Sequence, residues 1–272
     1  MAGMDKQEQI EQEERLKANL GRIKNKIIVL SGKGGVGKTT VSVNLAYELA
    51  RKGLKVGILD VDIHGPNIAK MLGIEGQQLS YGPVGIEPFK VLPNLKAVSI
   101  ALLTDNQDTP IIWRGPLKMA TIKQFLSDVD WGPLDYLIID SPPGTGDEPL
   151  SVCQLIDNVT GAVVVTTPQA VAILDSRKTV LFARQLNIPI LGIIENMSGF
   201  ICPHCSKEID LFGTDGGKIA AEDLKVPFLG NIPIDPAMVT SGDTGKPFIE
   251  LGKDTPTGKA FSKIIDNIAS EK

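Results

Sequence analysis

A chain of 272 residues with 42% hydrophobic content is long enough for one α/β domain with a full core, and its net charge of −4 offers no basic footprint for nucleic acid. No apolar run approaches the length of a membrane span and the N-terminus is polar and acid-rich, so no membrane contact and no secretory signal are expected and the address reads as cytoplasmic. Three cysteines, two of them in CPHC, make no disulfide framework and point instead to metal or redox chemistry.

Residues 1–24 are dominated by Gln, Glu and Lys, with Ile10, Leu16, Leu20 and Ile23 as a sparse apolar stripe. They predict a helical or partly disordered leader packed loosely on a single domain that fills residues 25–272. The domain opens on a β-branched run, Ile27 to Leu30. A Gly-rich turn from Ser31 to Gly37 follows, and then a helical pattern with Val41, Leu45 and Leu49 in register. Gly32, Gly37, Lys38 and Thr39 fit the P-loop pattern G-x-x-x-x-G-K-[ST], and strand, loop and helix are the context that pattern requires. Backbone N–H groups of Gly32, Lys33, Gly34, Gly35, Val36 and Gly37 would turn inward around a phosphate, with the helix adding its positive end. Lys38 is expected across the outer phosphates, Thr39 on Mg²⁺ and Thr40 on an inner phosphate.

The run LKVGILD gives a second strand ending at Asp60, followed by VDIHGPN. Ligands bind at such strand ends, so Asp60 and Asp62 face the phosphate region and either could hold a Mg²⁺-bound water. Asp60 could instead cap the helix begun at Gly65-Pro66-Asn67. His64 receives no role. Pro83, Pro88 and Pro93 between short apolar runs predict a β-hairpin excursion or an irregular insertion over Tyr81 to Ile100. A helix opens near Pro116 with Met119, Ile122, Phe125 and Leu126 on its buried face. Trp113 and Arg114 before it either line a partner or cluster site or are a packed Trp beside a surface Arg.

Leu137 to Ile139 form a buried strand ending in Asp140, the Walker B arrangement in which a carboxylate holds Mg²⁺ directly or through water. The following SPPGTGD has the composition of a switch loop, while Asp147 and Glu148 favour the start of the next helix rather than catalysis. Cys153 reads as core. GAVVVTT is another buried strand, and Gln169 to Leu186 a helix with Val171, Leu174, Val180 and Leu181 facing inward. A further strand ends at Glu195-Asn196. Beyond it, Cys202 and Cys205 are spaced so that both thiolates can grip one metal ion or one edge of a cluster. Two ligands are too few for a tetrahedral zinc or a four-iron cluster, so a symmetric dimer would have to supply the second pair. A dithiol redox centre, an intersubunit zinc and an intersubunit iron–sulfur cluster all remain open at this point.

The order GKGGVGKTT, DVDIHGPN, WRGP, DYLIIDSPPGTGDE, TTPQAVAILDSRK, IENMSGF and CPHC resembles the Mrp/ApbC family of iron–sulfur carrier ATPases, from about Lys24 to the C-terminus. The resemblance implies an α/β P-loop NTPase fold like that of MinD and the nitrogenase iron protein, a mostly parallel twisted sheet with helices on both faces. KGGVGKT itself resembles the deviant Walker A of MinD, the nitrogenase iron protein and ArsA, where a lysine at the Lys33 position reaches the nucleotide of the facing subunit. Further implications are a homodimer that hydrolyses ATP, Asp62 orienting the attacking water, Asn196 reading the adenine edge, and Pro233 and Asp235 closing over the base. The cargo implied is a [4Fe–4S] cluster bound between subunits and passed to apo-proteins. No N-terminal four-cysteine motif and no large N-terminal assembly domain are present, so a second stable cluster is not expected. The alternative is a MinD-like positioning switch whose cysteines hold a structural zinc.

Overall fold

The computed structural model describes residues 6–63, 65–103, 115–202, 204–205 and 207–270, so Trp113 and Arg114 lie outside the described residues. In chain order the first half reads α1 (Lys6–Gly21), β1 (Ile23–Ser31), α2 (Lys38–Arg51), β2 (Val56–Asp60) and α3 (Ile68–Met71). The excursion follows as β3 (Ser80–Tyr81), β4 (Ile86–Glu87), β5 (Phe89–Leu92) and β6 (Leu95–Ser99), then α4 (Gly115–Ser127), β7 (Leu134–Asp140) and α5 (Asp147–Leu155). The second half holds β8 (Gly161–Thr166), α6 (Ala170–Gln185), β9 (Ile190–Ile201), β10 (Glu208–Ile209), α7 (Gly216–Leu224) and β11 (Phe228–Ile234). It ends with α8 (Pro236–Asp243), α9 (Phe248–Leu251) and α10 (Pro256–Ser270).

β1 lies at the centre, parallel to β8 on one side and β7 on the other. β9 and β11 extend the sheet beyond β8, and β2 and β6 extend it beyond β7, all in parallel. Only β5, antiparallel to β6, and the short β10, antiparallel to the far end of β9, run the other way. Within the excursion, β3 and β4 form a separate two-stranded ribbon.

Strand alternation sorts side chains into two cores, because successive residues point to opposite faces. Ile27, Val29, Ile58, Tyr136 and Ile138 face α2 and the C-terminal helices, whereas Ile28, Leu30, Leu59, Leu137 and Ile139 face α4 and α5. These strands are buried on both sides, which is why they read as unbroken apolar runs. Each fully buried side chain of this size stabilises the fold by about 1.5–3 kcal/mol.

Two expectations about packing change. On α6 only Val180 of the four expected inward residues is buried; Val171, Leu174 and Leu181 are exposed, and the inner face consists of Ala172, Ser176, Thr179, Val180 and Ala183. Small side chains let this helix lie close to its neighbours, so close that a Cβ on Gly32 would sit 2.4 Å from the Asp175 backbone. The C-terminal helix α10 is amphipathic, and its apolar face, Phe261, Ile264, Ile265 and Ile268, packs into the first core. The leader helix α1 is anchored at its C-terminal half. Leu16 and Leu20 join the second core, and the buried Asn19 amide donates to the carbonyls of Leu126 and Val129, both at 2.8 Å. Asn19→Ala leaves those carbonyls unsatisfied, and a loss of about 1–3 kcal/mol in urea-unfolding free energy is expected. A loss below about 0.5 kcal/mol would show that α1 is not part of the cooperative unit.

Candidate nucleotide site and cysteine hairpin

At the C-terminal ends of β1, β2 and β7 the chain builds a cleft of about 400 Å³, lined by Ser31, Lys33 to Thr40, Asp62, Asn67, Lys70 and Pro143 from one side and by Met238, Val239 and Asp243 of α8 from the other. The turn is possible because Gly35 and Gly37 take φ of 79° and 84°, the left-handed region that side chains disfavour. Gly37 has a second constraint, since a Cβ there would lie 2.1 Å from the Asn196 amide nitrogen. Gly37→Ala therefore adds backbone strain of about 1–2 kcal/mol to a direct clash that displaces Asn196. Loss of ADP binding by calorimetry is expected, and undiminished affinity would mean the loop is not held in this form.

Lys38, the first residue of α2, is buried with its ammonium 2.8 Å from Asp140 and 3.5 Å from Asp62. Thr39 donates to the same Asp140 oxygen at 2.7 Å, and Ser42, one turn further along α2, donates to the other at 2.6 Å. Asp60 sits one step behind. Its oxygens accept from the backbone N–H groups of Asp62 and Ile68 and from the Ser99 hydroxyl, which ties the ends of β2 and β6 to the start of α3. Burial, reinforced by the charge of Asp140, pushes the Asp60 carboxyl well above the usual range, with Lys38 partly offsetting it.

The residues expected from sequence thus fall into three places. Gly32 to Thr40, Asp62 and Asp140 converge around Lys38, with Asp60 adjoining them. Lys33 lines the cleft half-buried and makes no ion pair among the described residues. Asn196 is buried below the loop and donates to the Val36 carbonyl at 2.9 Å. Pro233 and Asp235 line a second cavity of about 250 Å³ with Phe200, Ile201 and Thr257, and Asp235 caps α8 through the Ala237 N–H at 3.0 Å. Ser42 and Ser99 were not singled out from the sequence. Ser42 had a signal, its place one turn after Thr39 on the same helix face; Ser99 had none.

The arrangement fits a polyphosphate with Mg²⁺. Ser31 Oγ and Lys38 Nζ are buried on the cleft wall with no aligned hydrogen-bond partner, and Gly34 and Gly35 face open space. Thr39 and Asp140 present hard oxygen donors beside them, the ligand type Mg²⁺ takes.

The cysteines lie on a hairpin beyond the kinked end of β9. Cys202 N–H donates to Lys207 O at 2.9 Å, closing a tight turn that leads into β10. Cys202 is half-buried and Cys205 exposed. The backbone N–H of His204, then that of Cys205, point at the Cys202 sulfur and hold its thiol below the ordinary value, with the Cys205 side chain adding to this. Among the described residues no third His, Cys, Asp or Glu joins them in a metal-binding group. Cys153 is core on α5, its thiol pushed up to about 11 by burial.

The family described as ParA, NUBPL iron-transfer P-loop NTPase, matches residues 22–269. The chain is 52% identical over 261 residues to an iron-sulfur cluster carrier protein of Methanocaldococcus jannaschii, covering 96% of this chain and 89% of that one. Among solved structures it is similar to a nucleotide-binding protein from Archaeoglobus fulgidus in complex with ADP, at 39% identity and TM-score 0.75 over 86% of this chain and 91% of that one. The cell division ATPase MinD of Pyrococcus furiosus shares the fold at 24% identity, with TM-score 0.68 over 90% and 98% of the two chains.

Proposed function

We propose that this chain, which belongs to the ParA family of NUBPL-type iron-transfer P-loop NTPases, is an ATP-hydrolysing carrier that holds a [4Fe–4S] cluster between two copies of itself and passes it to apo-proteins. One observation carries the reading. Two free cysteines, Cys202 and Cys205, lie together on the turn that continues the strand supporting the P-loop.

In the nucleotide step, the P-loop N–H groups and Lys38 bind and orient the phosphates, and burial strengthens each of these contacts because little water competes. Thr39 and Asp140 would hold Mg²⁺, which when bound neutralises phosphate charge. Asp62 lines the cleft 3.5 Å from Lys38, and on this reading it orients the attacking water. Lys33 supplies a second cation toward the facing subunit's nucleotide; Asn196 acts through the P-loop, whose Val36 carbonyl it holds, while Pro233 and Asp235 line a separate cavity. Among the described residues no helix is long and apolar enough to cross a membrane.

The test is anaerobic reconstitution with iron and sulfide, reading iron, sulfide, zinc and oligomer mass together. About four irons and four sulfides per dimer are expected. One tightly held zinc per dimer with no cluster would replace this reading with a nucleotide-switched scaffold carrying a structural metal.

A further inference from the structure

We propose that Glu195 is a positioning residue that links the P-loop to the cysteine hairpin, so that the occupancy of the nucleotide site resets Cys202 and Cys205. The proposal rests on the cleft being the nucleotide site.

Glu195 and Asn196 are consecutive on β9, so their side chains leave on opposite faces and grip different parts of the molecule. Asn196 holds the P-loop through the Val36 carbonyl at 2.9 Å, beneath Gly37. Glu195 is 1% exposed. One carboxylate oxygen accepts from Ser198 Oγ at 2.6 Å and from Asp215 N–H at 3.1 Å, and the other accepts from Gly217 N–H. No cation pairs with it among the described residues; its charge is held by the hydroxyl and by amides at the positive end of α7. Ser198 opens, and Asp215 to Gly217 close, the excursion that carries both cysteines. Glu195 is therefore the clasp at its base.

Between the two grips the strand is bent. Met197 and Gly199 take φ of 57° and 78°, and the register against β11 jumps from Ile232 opposite Asn196 to Ile234 opposite Phe200. Four steps along β9 thus match two along β11, an irregularity of the kind that re-aims a strand beside a functional site. A shift of the Val36 peptide on phosphate binding would pull Asn196, turn its neighbour Glu195, and tilt the base of the hairpin.

A clasp that merely fastens α7 to β9 would, when weakened, change thiol reactivity by one factor in every nucleotide state. A link would erase the difference between states. The measurement is the maleimide labelling rate of Cys202 and Cys205, resolved by peptide mass spectrometry, on the reduced, metal-free full chain without nucleotide, with Mg-ADP and with a non-hydrolysable Mg-ATP analogue. Buried Cys153 reports any global opening. In the wild type the rates should differ between states by about fivefold or more. In Glu195→Gln an amide N–H faces a backbone N–H, and the ratio should fall to within about twofold of one while ADP affinity holds within about twofold. Ser198→Ala removes one donor only and should give an intermediate ratio; if Glu195→Gln opens globally, this variant decides. A wild-type ratio retained in the variants, or equal wild-type rates in all states despite ADP binding, overturns the link alone. Absence of ADP binding overturns it together with the nucleotide reading.

Discussion

Lys38→Ala should lower ATP turnover by about 10²–10³-fold or more, because among the described residues of the cleft wall Lys38 is the buried cation, and on the proposed reading it meets the charge that develops on the phosphates. The same change leaves Asp140 buried without its ion-pair partner, at a cost toward 3 kcal/mol, since breaking such a pair is far more damaging than never having built it. Two hydroxyls, Thr39 and Ser42, still donate to Asp140 and keep the penalty at that lower end. The two effects separate in the double variant. Adding Asp140→Asn to Lys38→Ala should recover part of the unfolding free energy, because the carboxylate that lost its partner is itself removed, while turnover stays lost. Steady-state hydrolysis and urea midpoints measured on the wild type and both variants test this. Turnover near wild type in Lys38→Ala would remove the cleft from the chemistry altogether.

The nucleotide end of the molecule was legible because its chemistry and its local structure coincide in sequence. Ile27 to Leu30, the glycines after Ser31 and the helix from Lys38 are contiguous, and a strand buried on both faces followed by Asp140 leaves one reading. The order of β1, β2, β7, β8 and β9 along the chain likewise followed from apolar runs bounded by turns.

Faces of elements were less legible. The stripe of Val171, Leu174 and Leu181 on α6 is a true helical periodicity, yet the helix turns it outward and packs Ala172, Ser176 and Ala183 instead. Periodicity identifies a face; it does not say which face finds a neighbour, and here close approach to Gly32 favoured the small one. The role of Asp60 is hidden for a related reason. Two acids two residues apart look alike in sequence, whereas the bend after β2 sends Asp62 into the cleft and leaves Asp60 holding backbone amides. Glu195 has a weaker signal still, a single acid in an apolar strand whose partners, Asp215 and Gly217, lie about twenty residues on.

The cysteine pair makes the most exacting prediction, because a shared site and a per-chain site differ in how they dilute. If each chain supplies two of four thiolates, a chain carrying both Cys202→Ala and Cys205→Ala spoils every dimer it enters. Mixing equal amounts of wild type and double variant under conditions that exchange subunits leaves about one quarter of dimers with a full ligand set, so bound iron should fall to about one quarter of the wild-type value. A site complete within one chain would fall only to about one half. The hairpin explains why single variants should already be severe. Cys202 is the sulfur toward which the His204 and Cys205 amides point, so its loss removes the ligand that those amides hold in place, whereas loss of exposed Cys205 removes the second ligand and leaves that geometry standing. Cys202→Ala should therefore abolish iron retention, and Cys205→Ala should leave at most a labile fraction that chelator strips within the assay. Both should bind ADP as the wild type does, since neither residue lines the cleft. Iron falling to one half in the mixture, or persisting in Cys202→Ala, would place the cluster elsewhere and reduce the hairpin to a structural turn.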